Sequence, residues 1–88
     1  MRKAAEQGFP LALTPFGVMF ERGQGVPQDN VQAHMWYSLA VANLDVSIAK
    51  KEHEIAVRNR DAIAAKMTAA QIEEAQKLAR EWTPTRGK

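Results

Sequence analysis

From Val31 to Trp82 the chain contains neither glycine nor proline. Those two residues are the strongest local interrupters of regular structure, so a long stretch without them is free to form extended elements. Ala, Glu, Lys, Gln, Arg and Leu dominate the stretch, and all are good helix formers. Alternating apolar patterns and β-branched runs are absent, so the expected fold class is all-α. The punctuation falls earlier, at Gly8, Pro10, Pro15, Gly17, Gly23, Gly25 and Pro27.

Local signals divide the chain into about five helices. The first spans Arg2 to Gln7, closes at Gly8 as a C′ residue and has no start signal. The second is expected from Pro15 to about Arg22, with Thr14 as N-cap and Pro15 at the first helical position, because a proline deeper in a helix loses a hydrogen bond. A kinked helix from Pro10 onward is the alternative. Gly23 stops it, and Gly23 to Asp29 forms a loop. Asp29 or Asn30 caps the third helix, which runs to about Asn43 with Ala33, Trp36, Tyr37, Ala40 and Leu44 facing inward. Asp45 or Ser47 caps a fourth helix to about Met67, with Ile48, Ala49, Ile55, Ala56, Ala62, Ile63 and Met67 on its apolar side. Thr68 and Gln71 stand at capping-box spacing and open a fifth helix to Trp82, with Ile72, Ala75, Leu78, Ala79 and Trp82 inward. The residues after Trp82 form a loose tail.

Size and composition narrow the functions. The chain has 88 residues, of which 45 % are hydrophobic and 25 % charged, as in soluble globular proteins. A chain of this size buries about 60–65 % of its unfolded surface, which leaves one thin core and little room for a deep catalytic cavity. Without cysteine there are no disulfides, thiolate metal sites or cysteine nucleophiles. A net charge of +2 is too small to argue for nucleic acid or a membrane surface. No window is apolar enough for a membrane span, and Glu6, Gln7 and Gly8 follow the basic start too soon for a signal peptide. Cytoplasmic residence is the default expectation.

Two segments resemble a known repeat. Phe16-Gly17-Val18-Met19-Phe20-Glu21-Arg22-Gly23-Gln24-Gly25-Val26-Pro27-Gln28-Asp29 is similar to the first half of a Sel-1-like repeat. Ala33-His34-Met35-Trp36-Tyr37-Ser38-Leu39-Ala40 is similar to its second half. Such repeats are relatives of the tetratricopeptide repeat, built from two antiparallel helices. Residues 2–8 laid over 38–44 pair Ala4 with Ala40 and Ala5 with Val41, a faint internal echo. Pro15, Phe16 and Leu44 depart from the family pattern. The resemblance implies an α-α superhelix, a solenoid fragment of antiparallel helix pairs. Residues 1–8 would be the end of a preceding repeat helix, 9–44 a full repeat, 45–82 a C-terminal helical cap and 83–88 a flexible tail. Its structural positions would be Gly17, Gly23, Gly25, Ala33, Trp36, Tyr37 and Ala40, with Gly17 letting a neighbouring helix approach closely.

The function implied by the resemblance is a non-catalytic, bacterial-type scaffold or protein–protein interaction module with a protein or peptide partner, and no enzyme activity. Val18, Glu21 and Gln32 are candidates for outward positions. A second reading is self-association as a homodimer through an unstacked apolar edge near Ala4, Ala5, Phe9 and Phe16. A third, a small hydrolase, would need an acid, a base and a nucleophile gathered in a cleft. The residues offer it little: Ser38, Ser47 and the threonines have no evident His-Asp arrangement. His34 and His53, expected to be partly exposed, lack a third ligand at metal-site spacing, so no metal and no cofactor are expected. Gly23-Gln24-Gly25 lacks the Walker pattern. Arg58, Arg60, Lys66, Lys77 and Arg80 are interspersed with Glu73, Glu74 and Glu81, an ordinary charged surface rather than a nucleic-acid strip.

Overall fold

A computed structural model describes residues 10–82. The expected helix Arg2–Gln7, its Gly8 stop and the tail 83–88 lie outside the described residues. Four α-helices fill the described chain: α1 (Pro10–Arg22), α2 (Asn30–Asn43), α3 (Lys50–Ala64) and α4 (Ala69–Glu81). No strand occurs among the described residues, so the chain is all-α there.

The first helix starts earlier than a Thr14 cap would place it, and Pro15 lies inside it. Pro15 withholds the N–H that would reach the carbonyl of Leu11, four residues back, at a cost of about 3 kcal/mol. The loss falls near the open start of the helix, where Leu11 is 65 % exposed and water can serve the carbonyl. In return, Leu13 and Phe16 share a face and are both buried. Burial of two such side chains stabilises by roughly 3–6 kcal/mol, enough to offset the proline. Gly23 ends α1 with φ of 68°, and Gly25 follows with φ of 78°, conformations that favour glycine. Gln24 N–H donates to Met19 O and Asp29 N–H to Phe20 O, both at 2.9 Å, and these bonds close the turn.

Asp29 caps α2, its carboxylate accepting from Gln32 N–H at 3.2 Å. The inward stripe Ala33, Trp36, Tyr37, Ala40 and Leu44 is buried throughout. This helix is central: α1, α3 and α4 each pack against it. Early residues of α1 meet late residues of α2, since Leu11 lies near Leu44 while Gly17 lies against Ala33 and Tyr37. The pair is therefore an antiparallel hairpin.

The third helix is shorter than expected at both ends. Asp45 does not cap it. Its carboxylate instead accepts from the Ser47 N–H at 2.9 Å and the Ser47 hydroxyl at 2.6 Å, forming a separate turn. Those two donors hold the Asp45 carboxyl below its usual range. The helix begins only at Lys50, behind Ala49, which makes no side-chain cap bond, and it ends at Ala64 rather than Met67. Its buried positions are Ala56 and Ile63, seven residues apart on one stripe. Ile48, Ile55 and Ala62, expected inward, are exposed instead.

Helix α4 opens with the full capping box: Gln71 N–H donates to Thr68 Oγ1 at 3.1 Å, and Thr68 N–H to Gln71 Oε1 at 2.9 Å. Trp82 is its C-cap. An aromatic chain joins three helices, with ring centroids 5.2 Å apart for Phe16 and Phe20, 4.6 Å for Phe16 and Trp36, and 5.7 Å for Trp36 and Trp82. Offset and edge-to-face pairs of this kind add stability beyond the area they bury. A smaller cluster of Ala33, Tyr37 and Ile63 ties α2 to α3.

Candidate functional site

Gly17, Ala33 and Tyr37 meet where α1 crosses α2. A Cβ on Gly17 would lie 2.6 Å from Tyr37 Cε1 and 3.3 Å from the Ala33 carbonyl oxygen. The missing side chain is what admits the Tyr37 ring, which is fully buried. The Tyr37 hydroxyl donates to Glu21 Oε1 at 2.6 Å, a short bond to a carboxylate. Burial, reinforced by Glu21, pushes the phenol well above its usual range. Trp36 and Ala40 lie in the larger cluster, and Gly23 and Gly25 lie in the turn. Two residues expected to face outward are engaged within the fold: Glu21 takes the Tyr37 hydroxyl, and Val18 packs on the Ala33–Tyr37–Ile63 cluster. Gln32 is half-buried, and its N–H serves the Asp29 cap.

His34 is buried, at 3 % exposure, rather than partly exposed as expected. Ser38 Oγ lies 3.2 Å from His34 Nδ1, one helical turn away. Burial first, then the positive charge of Arg60, holds the imidazole below its ordinary range, while Asp61 acts in the opposite sense. The Arg60 and Asp61 side chains approach to 3.5 Å. Sequence spacing did not reveal the Ser38–His34 pair as a contact, although four residues apart on a helix is the spacing that makes one. It acts as a hydrogen bond inside the helix packing, with the imidazole sealed from solvent.

The described residues form a concave apolar feature on the surface. Leu11, Thr14 and Pro15 of α1, Leu44 at the end of α2, and Glu52 and Ile55 of α3 line a cavity of about 220 Å³. Two of the lining residues are apolar side chains with substantial exposure, Leu11 at 65 % and Ile55 at 37 %; Val46 at 51 % and Ile48 at 84 % are also exposed. The turn held by Asp45 and Ser47 presents Val46 and Ile48 to solvent, since a helix does not begin until Lys50. Phe16, expected on an exposed edge, is 2 % exposed and belongs to the core; Ala4, Ala5 and Phe9 lie outside the described residues. A second, shallow depression runs along α4 past Glu73, Glu74, Lys77, Arg80 and Glu81, a face of mixed charge.

Among the described residues, no three His, Asp or Glu side chains gather as a metal site. No described helix is long and apolar enough to cross a membrane. Comparison with family models, curated proteins and solved structures finds no match to this chain.

Proposed function

We propose that the chain is a non-catalytic protein–protein interaction module, one Sel-1-like repeat with a helical cap, arranged as a fragment of an α-α superhelix. The observation that carries this reading is the apolar pocket between α1 and α3, with Leu11 and Ile55 exposed in its lining. Exposed apolar side chains lining a cleft are a usual mark of a binding site. The Gly17 notch supports the repeat reading, because it gives the close hairpin that such repeats require. Docking would seat an apolar side chain of a peptide or protein partner in the pocket, where a few anchors carry most of the energy.

The test is partner capture by chemical crosslinking with the wild-type chain and with Leu11→Lys and Ile55→Lys. The expected result is a partner retained by the wild type and lost by both variants, with helicity unchanged. Equal capture by all three would remove the pocket from the reading. The same exposed side chains favour a second reading, a homodimer. Light scattering behind a sizing column separates the two: a dimer that both variants dissociate supports self-association, and a monomer at high concentration removes it.

A further inference from the structure

We infer, resting on the docking reading above, that the pocket takes an aromatic side chain of a partner segment carrying a Lys or Arg close beside that ring, the cation pairing with Glu52. Size argues for the ring. A dry aliphatic cavity of about 150 Å³ holds a benzene molecule, so one of about 220 Å³ has room for an aromatic side chain. The lining chemistry requires an apolar group, since Leu11, Pro15, Leu44 and Ile55 offer aliphatic walls.

Charge supplies the second half. Glu52 is the sole ionisable residue in the pocket lining. It is exposed, and among the described residues the only ion pair is Arg60 with Asp61. A cation beside the seated ring therefore meets the exposed Glu52 carboxylate at the edge of the pocket. Glu52 also sits in the first turn of α3, where its charge favours the helix N-terminus. That role affects stability but gives no preference among ligands, so a binding readout separates the two.

The occupant proposed is a segment of a different chain rather than the described residues of a second copy. Among the described residues, Phe16, Trp36 and Tyr37 are buried in the core, while Phe20 and Trp82 pack against it. A second folded copy has no free aromatic ring there to offer.

Random dodecapeptides displayed on phage and panned on the full chain test this, with Ile55→Lys for counter-selection. The expected peptides carry Phe, Tyr or Trp with Lys or Arg within three residues. Glu52→Gln should weaken the best of them about two- to fivefold, the worth of a surface ion pair. Panning on Glu52→Lys should shift the companion residue from basic to acidic. Peptides that need Leu11 and Ile55 but ignore both Glu52 variants overturn this inference and leave the docking reading standing. A yield of no peptides dependent on Leu11 or Ile55 overturns both. A dimer that Ile55→Lys dissociates places a second copy in the pocket and overturns the inference alone.

Discussion

Gly17 and Tyr37 share one volume: a Cβ on the glycine would stand 2.6 Å and 2.7 Å from two ring carbons of the tyrosine. The ring cannot simply swing aside, because it is fully buried and its hydroxyl is tied to Glu21. Gly17→Ala should therefore destabilise by about 1–3 kcal/mol, the usual cost of overpacking. Helix propensity alone predicts the opposite, a gain of about 1 kcal/mol. Urea denaturation followed by circular dichroism decides the sign, and a stabilised variant would mean that the α1–α2 crossing is looser than this.

The Tyr37–Glu21 bond has its own signature. Tyr37→Phe keeps the ring and removes the hydroxyl, so it should cost about 1.5–3 kcal/mol at neutral pH, as for hydrogen bonds to a charged group. The phenol's acidity is suppressed in the fold, so above pH 10 the unfolded chain releases its proton first. The folded state then binds more protons, and stability falls as pH rises. That alkaline loss should be present in the wild type and reduced in Tyr37→Phe. Identical pH profiles between pH 9 and 11 would contradict the buried bond.

His34 acts at the acid end. Its folded-state affinity for protons is depressed by burial and Arg60, so below about pH 6.5 the unfolded chain binds a proton that the folded chain resists. Stability is fully present above that pH and declines as pH falls through the unfolded value toward the lower folded one. The slope contributed by one such group is at most about 1.4 kcal/mol per pH unit. Melting temperature measured from pH 7.5 to 5 should drop more steeply for the wild type than for His34→Gln. Parallel curves would show that His34 takes up its proton equally in both states.

The features legible in the sequence are those decided within a few residues. Thr68 with Gln71, a helix start at Asp29 or Asn30 and the Gly23 stop each depend on atoms close along the chain. Asp45 was ambiguous because one carboxylate can serve a helix cap or a local turn, and the nearby Ser47 donors won. Pro15 misled because the local penalty is outweighed by burial of Leu13 and Phe16, a tertiary effect that periodicity does not price. The pocket was illegible for the same reason. Leu11, Leu44 and Ile55 stand far apart in sequence, and only the packing of α1 and α3 around α2 brings them together.

The capping box holds the helix that carries Trp82 to Trp36. Thr68→Ala should cost about 1 kcal/mol, the typical worth of an N-cap side chain, while Thr68→Ser should cost little. Thermal melts monitored by tryptophan fluorescence test this, since loss of the cap frays α4 and loosens the Trp36–Trp82 pair. Equal melting of the Ala and Ser variants would show that the cap contributes nothing to the docking of α4.

Pro15 yields the one substitution expected to stabilise. Pro15→Ala restores an N–H facing the Leu11 carbonyl and lifts a propensity penalty of about 3 kcal/mol. Against this stand the greater freedom of the unfolded chain, about 0.4–1 kcal/mol, and the loss of the ring from the pocket wall. The net gain should be about 1–2 kcal/mol in chemical denaturation. If the helix instead began at Pro15 behind a Thr14 cap, the proline would sit at the first helical position, where it is favoured, and the same change would leave stability equal or lower. The sign of this one measurement therefore distinguishes the continuous helix Pro10–Arg22 from the shorter one.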